Sequence, residues 1–271
     1  MSGIFNEKQT LIIKEVALEA GEIAKKFWFA RDFEISKKPD GSRVTSADIA
    51  VSKFISAKLN QHFPQFKLVC EEGDLRQVED DFWLIDPIDG TSAFIDGSPE
   101  FAVNIAFIRN KKAAFGLIHA PLFEGQKTVL CDDKNGVIFE SQNQKIFFDD
   151  KQNYSNSQLR IITSTRTKDS DIGNFIAKLY PKIGQNFTVE KLSSAVKFFR
   201  LVEGNADLYL HFRPSMEWDI AAGQAIIELM GGKVKKLNFN QDQFVIGEEM
   251  AYLKPQFANS SFLAFINEIK P

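Results

Sequence analysis

The 271-residue chain has few of the residues that mark specialised classes of protein. It contains two cysteines, Cys70 and Cys131, and they fall in no Cys-x-x-Cys or Cys/His spacing. Two cysteines in a chain of this length do not form a disulfide framework, so a reducing compartment is expected. The three histidines, His62, His119 and His211, also show no metal-ligand spacing, and each is interpreted as structural.

The chain lacks both a long hydrophobic run and a large net charge. Its longest apolar stretch, residues 101–108, is interrupted by Asn104 and is far shorter than a membrane span. The N-terminal segment shows no basic region followed by an apolar run. The chain has 33 basic and 36 acidic residues, and a net charge of −3 is far too small for a general polyanion binder. We therefore expect a cytoplasmic protein with no membrane span and no nucleic acid polymer as partner.

The remaining composition is that of an ordinary globular protein. Hydrophobic residues make up 44% and charged residues 25%, and a chain of this length buries a substantial core. Apolar residues at helical spacing alternate with short apolar runs, which predicts a mixed α/β fold in layers. The predicted helices are 7–29, 46–62, 170–179, 194–203 and 218–230, and the predicted strands are a short one near 33–35 and 66–70, 82–85, 101–109, 113–120, 128–131, 137–139, 159–163 and 207–212. Asn6 with Gln9 is expected to cap the first helix, and residues 110–112 and 135–136 suit the turns of two hairpins.

Two of the predicted strands end in acidic residues. One is followed by Glu71 and the other by Asp86 and Asp89. If these strands are parallel neighbours, Glu71 and Asp86 emerge at the same edge, where they repel each other unless a cation lies between them. Carboxylates with no His or Cys nearby suit Mg²⁺. The alternatives are a solvated turn for the two aspartates and, for Asp219 in the first turn of a later helix, a residue that complements the helix dipole.

Four segments occur in an order and spacing that resemble the inositol monophosphatase superfamily of metal-dependent, lithium-sensitive phosphatases. They are Val-Thr-Ser-Ala-Asp at 44–48, Glu-Glu at 71–72, Asp-Pro-Ile-Asp-Gly-Thr at 86–91 and Trp-Asp-Ile-Ala-Ala-Gly at 218–223. The resemblance covers nearly the whole chain. It implies a layered α+β sandwich of the sugar-phosphatase type, with an N-terminal metal-bearing lobe over residues 1–150 and a C-terminal lobe over 151–271. The lobes are expected to meet near residues 145–158.

The resemblance also assigns metal ligands. It implies that Glu71, Asp86 and the carbonyl of Ile88 hold one Mg²⁺ ion. A second ion would be held by Asp86, Asp89 and Asp219, and a third, weaker ion would also use the Glu71 carboxylate. The expected cofactor is therefore two or three Mg²⁺ ions per active site.

The same resemblance implies the catalytic pair and the phosphate site. Thr91, hydrogen-bonded to Asp48, is similar to the pair that orients and deprotonates the attacking water. The backbone amides of Gly90, Thr91 and Ser92 would receive the ester phosphate at the start of a helix. The expected substrate is a small phosphate ester, and a homodimer is a further expectation because the family is often dimeric.

Within the superfamily the chain is most similar to the CysQ-type 3'(2'),5'-bisphosphate nucleotidases, which convert adenosine 3',5'-bisphosphate to AMP. This similarity implies that Ser194 and Lys197 contact the substrate, although Lys197 also fits a solvated lysine on a helix face. One departure favours other substrates. After Asp-Gly-Thr this branch usually carries Lys or Arg, whereas this chain has Ser92, as inositol monophosphatases do.

Two alternatives to a bisphosphate nucleotidase stay open at this point. The first is an inositol monophosphatase or another sugar phosphatase, which the residue at position 92 favours. The second is a catalytically silent scaffold that keeps the fold and binds phosphate compounds, although all the inferred metal ligands are present.

Overall fold

A computed structural model describes residues 4–73, 78–132, 136–141, 144–148, 158–240 and 243–269. Among these residues there are six α-helices: α1 (Glu7–Ala30), α2 (Ser46–His62), α3 (Thr91–Ile95), α4 (Asp169–Leu179), α5 (Lys197–Val202) and α6 (Glu217–Leu229). None of the described helices is long and apolar enough to cross a membrane.

The strands of the described residues form two large sheets and two small ones. The strands are β1 (Ile35–Lys37), β2 (Arg43–Thr45), β3 (Lys67–Cys70), β4 (Phe82–Asp89), β5 (Ala102–Arg109), β6 (Lys112–Ala120), β7 (Lys127–Asp132), β8 (Gly136–Ser141), β9 (Gln144–Phe148), β10 (Leu159–Ser164), β11 (Phe187–Leu192), β12 (Leu208–His211), β13 (Ser215–Met216), β14 (Lys233–Asn240), β15 (Gln243–Glu249), β16 (Ala258–Asn259) and β17 (Phe262–Phe265). The first large sheet has the order β3-β4-β5-β6-β7-β8-β9, and the second has the order β11-β10-β12-β17-β14-β15.

Helices and sheets alternate through the molecule. The pair α1 and α2 packs against the first sheet, and α6 packs against both this sheet and strands β14 and β17 of the second. Helix α4 covers the far face of the second sheet, where Ile172 and Phe175 join a separate apolar cluster. The predicted layered α/β fold is therefore confirmed.

The structure agrees with most of the predicted elements. Helix α2 has the predicted bounds, and α1 begins at the predicted Asn6 cap, whose side chain accepts from the Gln9 amide at 3.0 Å. Strands β5 and β6 form the predicted hairpin, with Asn110 and Lys111 at positive φ in its two-residue turn. The predicted turn at 135–136 involves residue 135, which lies outside the described residues, as does most of the predicted lobe junction. The two-lobe division stays a prediction.

Several elements differ from the predictions. Among the described strands, β2, β9, β11 and β13 to β17 have no counterpart among the predicted elements. Three of them, β2, β13 and β16, are only two or three residues long, too short for an apolar pattern to show in the sequence. The helix predicted over 194–203 begins only at Lys197, and that part of the prediction is wrong. Ser194 has φ 51, a left-handed conformation that cannot belong to an α-helix. The chain therefore turns sharply just before α5.

Helix α6 lies unusually close to the first sheet because of a glycine. A Cβ atom added to Gly116 of β6 would lie 2.1 Å from the carbonyl oxygen of Ala222. Only the absence of a side chain lets the helix backbone approach the strand so closely. This approach fixes the height of α6, and therefore of Asp219 in its first turn, above the sheet.

We expect Gly116→Ala to destabilise the protein by about 2 kcal/mol or more, because the helix or the strand has to move apart. Urea unfolding of the variant and the native protein measures the difference. The matched control is Gly173→Ala in α4, where an added Cβ meets nothing within 4 Å. That control should raise stability by ~0.5–1 kcal/mol through helix propensity. Equal effects of the two substitutions would contradict the close-approach explanation.

Candidate active site

A β-bulge in β4 brings two aspartates to the same side of the sheet. Asp86 pairs with Asn104 and Asp89 with Ala102, so β4 advances three residues while β5 advances two. Residues three apart in a regular strand point to opposite faces, but one extra residue restores Asp89 to the face of Asp86. Pro87 lies within the bulge, where the missing N–H removes no regular ladder bond.

The third carboxylate of the group comes from the first turn of α6. The Met216 amide donates to Asp219 Oδ2 at 2.8 Å, and this cap fixes the side chain at the helix N-terminus. One oxygen from each of Asp86, Asp89 and Asp219 lies within 4.8 Å of the others. The predicted ligands of the second ion therefore lie together.

Burial and mutual repulsion disfavour the charged forms of these three aspartates. Burial is the largest effect on each, and it raises the pKa of Asp89 to about 6 although Lys197 and the Ala195 amide oppose it. Burial, followed by the neighbouring carboxylates, raises the pKa values of Asp86 and Asp219 well above the usual range. Such a group is stable in its charged form only if a cation compensates for the lost solvation.

The donor set fits a divalent metal ion. Asp86 is 2% exposed, and its Oδ1 atom has no hydrogen-bond partner among the described residues. A buried, unpartnered carboxylate oxygen beside two further carboxylates offers hard ligands in the arrangement that Mg²⁺ prefers. The Ile88 carbonyl, the other predicted ligand from this strand, accepts from the Thr91 hydroxyl at 3.2 Å.

Glu71 lies at the predicted edge, where its carboxylate acts on Asp86 and is also paired with a lysine. Strands β3 and β4 are parallel, Cys70 is opposite Ile85, and so the predicted adjacency of Glu71 and Asp86 is confirmed. Yet Glu71 is outside the compact group of three aspartates. Its carboxylate accepts from Lys38 Nζ at 2.6 Å, and the same ammonium lies 2.6 Å from Glu72. Its role as a metal ligand stays a prediction.

Thr91 and Asp48 form the predicted hydrogen-bonded pair. Thr91 Oγ1 donates to Asp48 Oδ1 at 3.0 Å. Thr45 caps α2 and donates to the other carboxylate oxygen through its amide at 2.8 Å and its hydroxyl at 2.5 Å. Burial raises the pKa of Asp48, and these hydrogen bonds from Thr45 and Thr91 oppose the shift. The segment at 44–48 is therefore a capping box that also orients a buried acceptor.

A cavity of about 540 Å³ opens over these groups. Its size lies within the range of small-molecule sites. All five residues predicted to contact the substrate line it: Gly90, Thr91, Ser92, Ser194 and Lys197. Gly90 has φ 91 and an added Cβ would lie 2.8 Å from the Ser194 side chain, so this position requires glycine.

Lys197 is not the solvated lysine that its helical position allowed. The residue is 3% exposed, its ammonium donates to the Ser194 carbonyl, and it lies 5.4 Å from the centre of the Tyr209 ring. Burial lowers its pKa to about 8, although the charges of Asp89, Glu100 and Asp219 oppose this shift. A buried cation beside buried carboxylates is a feature of functional sites.

Sequence reasoning missed several residues that line the cavity. Arg166 and Arg213 are at its rim, and His211, interpreted as structural, lines it together with Tyr209. Burial lowers the pKa of His211 to about 3, and the positive charges of Lys197 and Arg213 contribute, so the imidazole is neutral. These residues belong to no recognisable motif, and only the pairing of β10 and β12 brings them together.

Comparison with known proteins agrees with this geometry. A model of the inositol monophosphatase family matches residues 6–264. The 3'(2'),5'-bisphosphate nucleotidase CysQ of Buchnera aphidicola is 26% identical over 255 residues, covering 92% of each chain. CysQ of Salmonella typhimurium is 30% identical over 231 residues, covering 81% of this chain and 87% of that protein.

Solved structures show the same architecture. The crystal structure of CysQ from Bacteroides thetaiotaomicron, a bacterial member of the inositol monophosphatase family, superposes with a TM-score of 0.77 at 25% identity. That match covers 98% of this chain and all of the other. The IMPase of Thermotoga maritima shares the fold with a TM-score of 0.72 at 24% identity, covering 96% of this chain and 92% of that chain.

The raised pKa values predict how metal binding depends on pH. Without metal, the three aspartates bind more protons in the folded protein than in the unfolded chain from about pH 4 to their folded pKa, about 6 for Asp89. Their contribution to stability should therefore fall as pH rises through this window. Mg²⁺ at ~100 times its Kd should raise the Tm by about 5–10 °C at about pH 7.5 and by much less at about pH 5.5, where protons compete. Thermal unfolding with and without Mg²⁺ at the two pH values measures this.

The matched variant is Asp89→Asn, which keeps the shape and removes one charge. In the absence of metal near neutral pH it should be more stable than the native protein, because repulsion within the group is reduced. It should also lose most of the Mg²⁺-dependent shift. A native-sized shift in the variant, or an equal shift at both pH values, would contradict the assignment of Asp89 as a ligand.

Proposed function

Because the chain belongs to the inositol monophosphatase family, we propose that this phosphatase is a Mg²⁺-dependent 3'(2'),5'-bisphosphate nucleotidase that converts adenosine 3',5'-bisphosphate to AMP and phosphate. The observation that carries the metal-dependent chemistry is the group of three closely spaced aspartates, two of which line one cavity together with Thr91, the hydrogen-bond partner of Asp48. The CysQ names of its relatives support the nucleotide substrate.

We assign the metal ligands as the sequence predicts them. Asp86, Asp89 and Asp219 would hold one ion, and Glu71, Asp86 and the Ile88 carbonyl another, with Glu71 released from Lys38. Bound Mg²⁺ would supply an activated water and neutralise charge on the phosphoryl group and the leaving oxygen. The protein contributes the fixed positions of these oxygens, because the bulge in β4 and the cap of α6 leave each aspartate little freedom.

Thr91 and Asp48 would orient the attacking water and take its proton. A threonine hydroxyl is a poor base alone, but Thr91 can pass a proton to Asp48 through their 3.0 Å hydrogen bond while it accepts one from water. The Asp48 carboxylate is held by Thr45 and cannot rotate away. Its burial, which raises the pKa, makes it a stronger acceptor than a solvated aspartate.

The phosphate would lie between the start of α3 and Lys197. The amides of Gly90, Thr91 and Ser92 are backbone donors at this edge, and the Lys197 ammonium offers a full positive charge across the cavity. Lys197 is poised near neutral pH because burial lowers its pKa to about 8. A dianionic phosphate beside it would favour the protonated form.

A nucleotide substrate also fits the shape and charge of the cavity. About 540 Å³ exceeds what a single phosphate needs, and Tyr209, His211 and Phe262 provide aromatic surface. Ser92, where the nucleotidase branch usually has a basic residue, is the feature that favours inositol phosphates instead. The cytoplasmic location, the homodimer and the sensitivity to Li⁺ are part of the same proposal, and the buried thiols of Cys70 and Cys131 suit a reducing compartment.

A phosphate-release assay with Mg²⁺ tests the proposal. The substrates are adenosine 3',5'-bisphosphate, inositol 1-phosphate and fructose 1,6-bisphosphate. We expect kcat/KM to be highest for the adenosine compound, and we expect Li⁺ to inhibit and EDTA to abolish turnover.

Two other outcomes of this assay would favour the inositol monophosphatase or the catalytically silent scaffold. A preference of about tenfold or more for inositol 1-phosphate, equivalent to ~1.4 kcal/mol in the transition state, would replace the nucleotidase by an inositol monophosphatase. Failure to hydrolyse any of the three, in a protein that still binds Mg²⁺, would favour the silent scaffold.

A further inference from the structure

We propose that Arg166 and Arg213 form a subsite for the second, non-reacting phosphate of a bisphosphorylated substrate. This inference rests on the proposed nucleotidase function and names the residues that would distinguish a bisphosphate from a monophosphate. Both arginines are at the rim of the cavity that Asp89 and Asp219 line, and neither belongs to a motif that the metal site uses.

The fold brings the two arginines to equivalent positions. Strands β10 and β12 are parallel neighbours in which Thr163 is opposite Leu210. Arg166 follows Thr163 by three residues, and Arg213 follows Leu210 by three. Ligands bind beyond the carboxyl ends of parallel strands in open α/β sheets, and both arginines are placed there.

Hydrogen bonds hold the pair in place before any ligand arrives. Arg213 Nη2 donates to the Arg166 carbonyl at 3.1 Å, and the Arg166 amide donates to Ser164 Oγ at 3.3 Å. Below them, Thr163 and Thr167 share a hydroxyl hydrogen bond of 2.8 Å. An arginine whose backbone and neighbouring residues are already fixed loses less conformational entropy when its guanidinium binds a phosphate.

The charges of the pair are not compensated by an acidic side chain in the part of the chain that the structure describes. Neither Arg166 nor Arg213 makes an ion pair with the rest of the described chain. Arg43, which lines the same cavity, differs from them because its guanidinium lies 3.7 Å from the Asp96 carboxylate. The Arg213 guanidinium contacts the Arg166 backbone and the Arg166 guanidinium contacts Ser92, so two uncompensated positive charges lie at one end of the cavity, and a dianionic phosphate would compensate them through charge-assisted hydrogen bonds. The neutral His211 nearby adds no charge to be compensated.

The position of the pair suits the second phosphate rather than the reacting one. Arg166 Nη2 donates to Ser92 Oγ at 3.2 Å, so the subsite would adjoin the reacting-phosphate site on the side of the Ser92 hydroxyl. The hydrogen bonds of the two arginines go to Ser92, Ser164 and the Arg166 carbonyl, and none goes to the three aspartates. Arg166 thus brings a guanidinium group to the side chain of Ser92. The basic residue that the nucleotidase branch usually has at position 92 would be supplied here from the second sheet.

The test compares two substrates that differ only in the second phosphate. Values of kcat/KM for adenosine 3',5'-bisphosphate and adenosine 3'-monophosphate are measured with Mg²⁺ for the native enzyme, Arg166→Gln and Arg213→Gln. Each substitution should lower kcat/KM for the bisphosphate by about tenfold to a hundredfold, the range for a lost hydrogen bond to a charged group. For the monophosphate each should change kcat/KM by less than about twofold.

The matched control is Arg109→Gln, which removes an arginine that pairs with Asp81 outside the cavity. It should leave the ratio of the two kcat/KM values unchanged, and activity on the monophosphate shows that each variant is folded. Equal losses on both substrates, or no loss on the bisphosphate, would overturn the subsite alone. A native enzyme that hydrolyses neither compound would overturn the nucleotidase function and the subsite with it.

Discussion

The structure is organised around three closely spaced carboxylates that repel one another. The oxygens of Asp86, Asp89 and Asp219 lie within 4.8 Å, and burial raises the pKa of each. No packing of apolar groups requires such an arrangement, and it lowers the stability of the metal-free protein. The fold nevertheless fixes all three, through the bulge in β4, the cap of α6 and the close approach of α6 to Gly116. A site that costs stability and is held this firmly fits the proposed binding of cations.

The charged side chains of the site lie where parallel strands end. At one side of the cavity, β3 and β4 end near Glu71 and Asp86, and the acidic groups lie there. At the other side, the parallel strands β11, β10 and β12 lead into Lys197, Arg166 and Arg213, and the charge there is positive. A phosphate ester can thus meet metal ions on one side and protein cations on the other. The division of charge follows from the topology of the two sheets.

The sequence predicted local features well and distant pairings poorly. Helix α2 and the cap at Asn6 depend on residues a few positions apart, so periodicity and capping chemistry were enough. The four motifs indicated the family, and the structure brings residues from them together around one cavity. The burial of Lys197 was not predictable from a helical spacing, since it depends on Tyr209 and the aspartates across the cavity. The arginine pair depends on β10 lying beside β12, and no local pattern of residues signals that pairing.

The most direct test of this account is to locate the metal ions that bind near the three aspartates. Crystals grown or soaked with Mn²⁺, which accepts the same oxygen ligands as Mg²⁺, can be examined by anomalous scattering. We expect an anomalous peak coordinated by carboxylate oxygens of Asp86, Asp89 and Asp219, and loss of that peak in Asp219→Asn. A protein that binds Mn²⁺ only elsewhere, or whose three aspartates stay metal-free at saturating Mn²⁺, would contradict the conclusion that their mutual repulsion exists to hold cations.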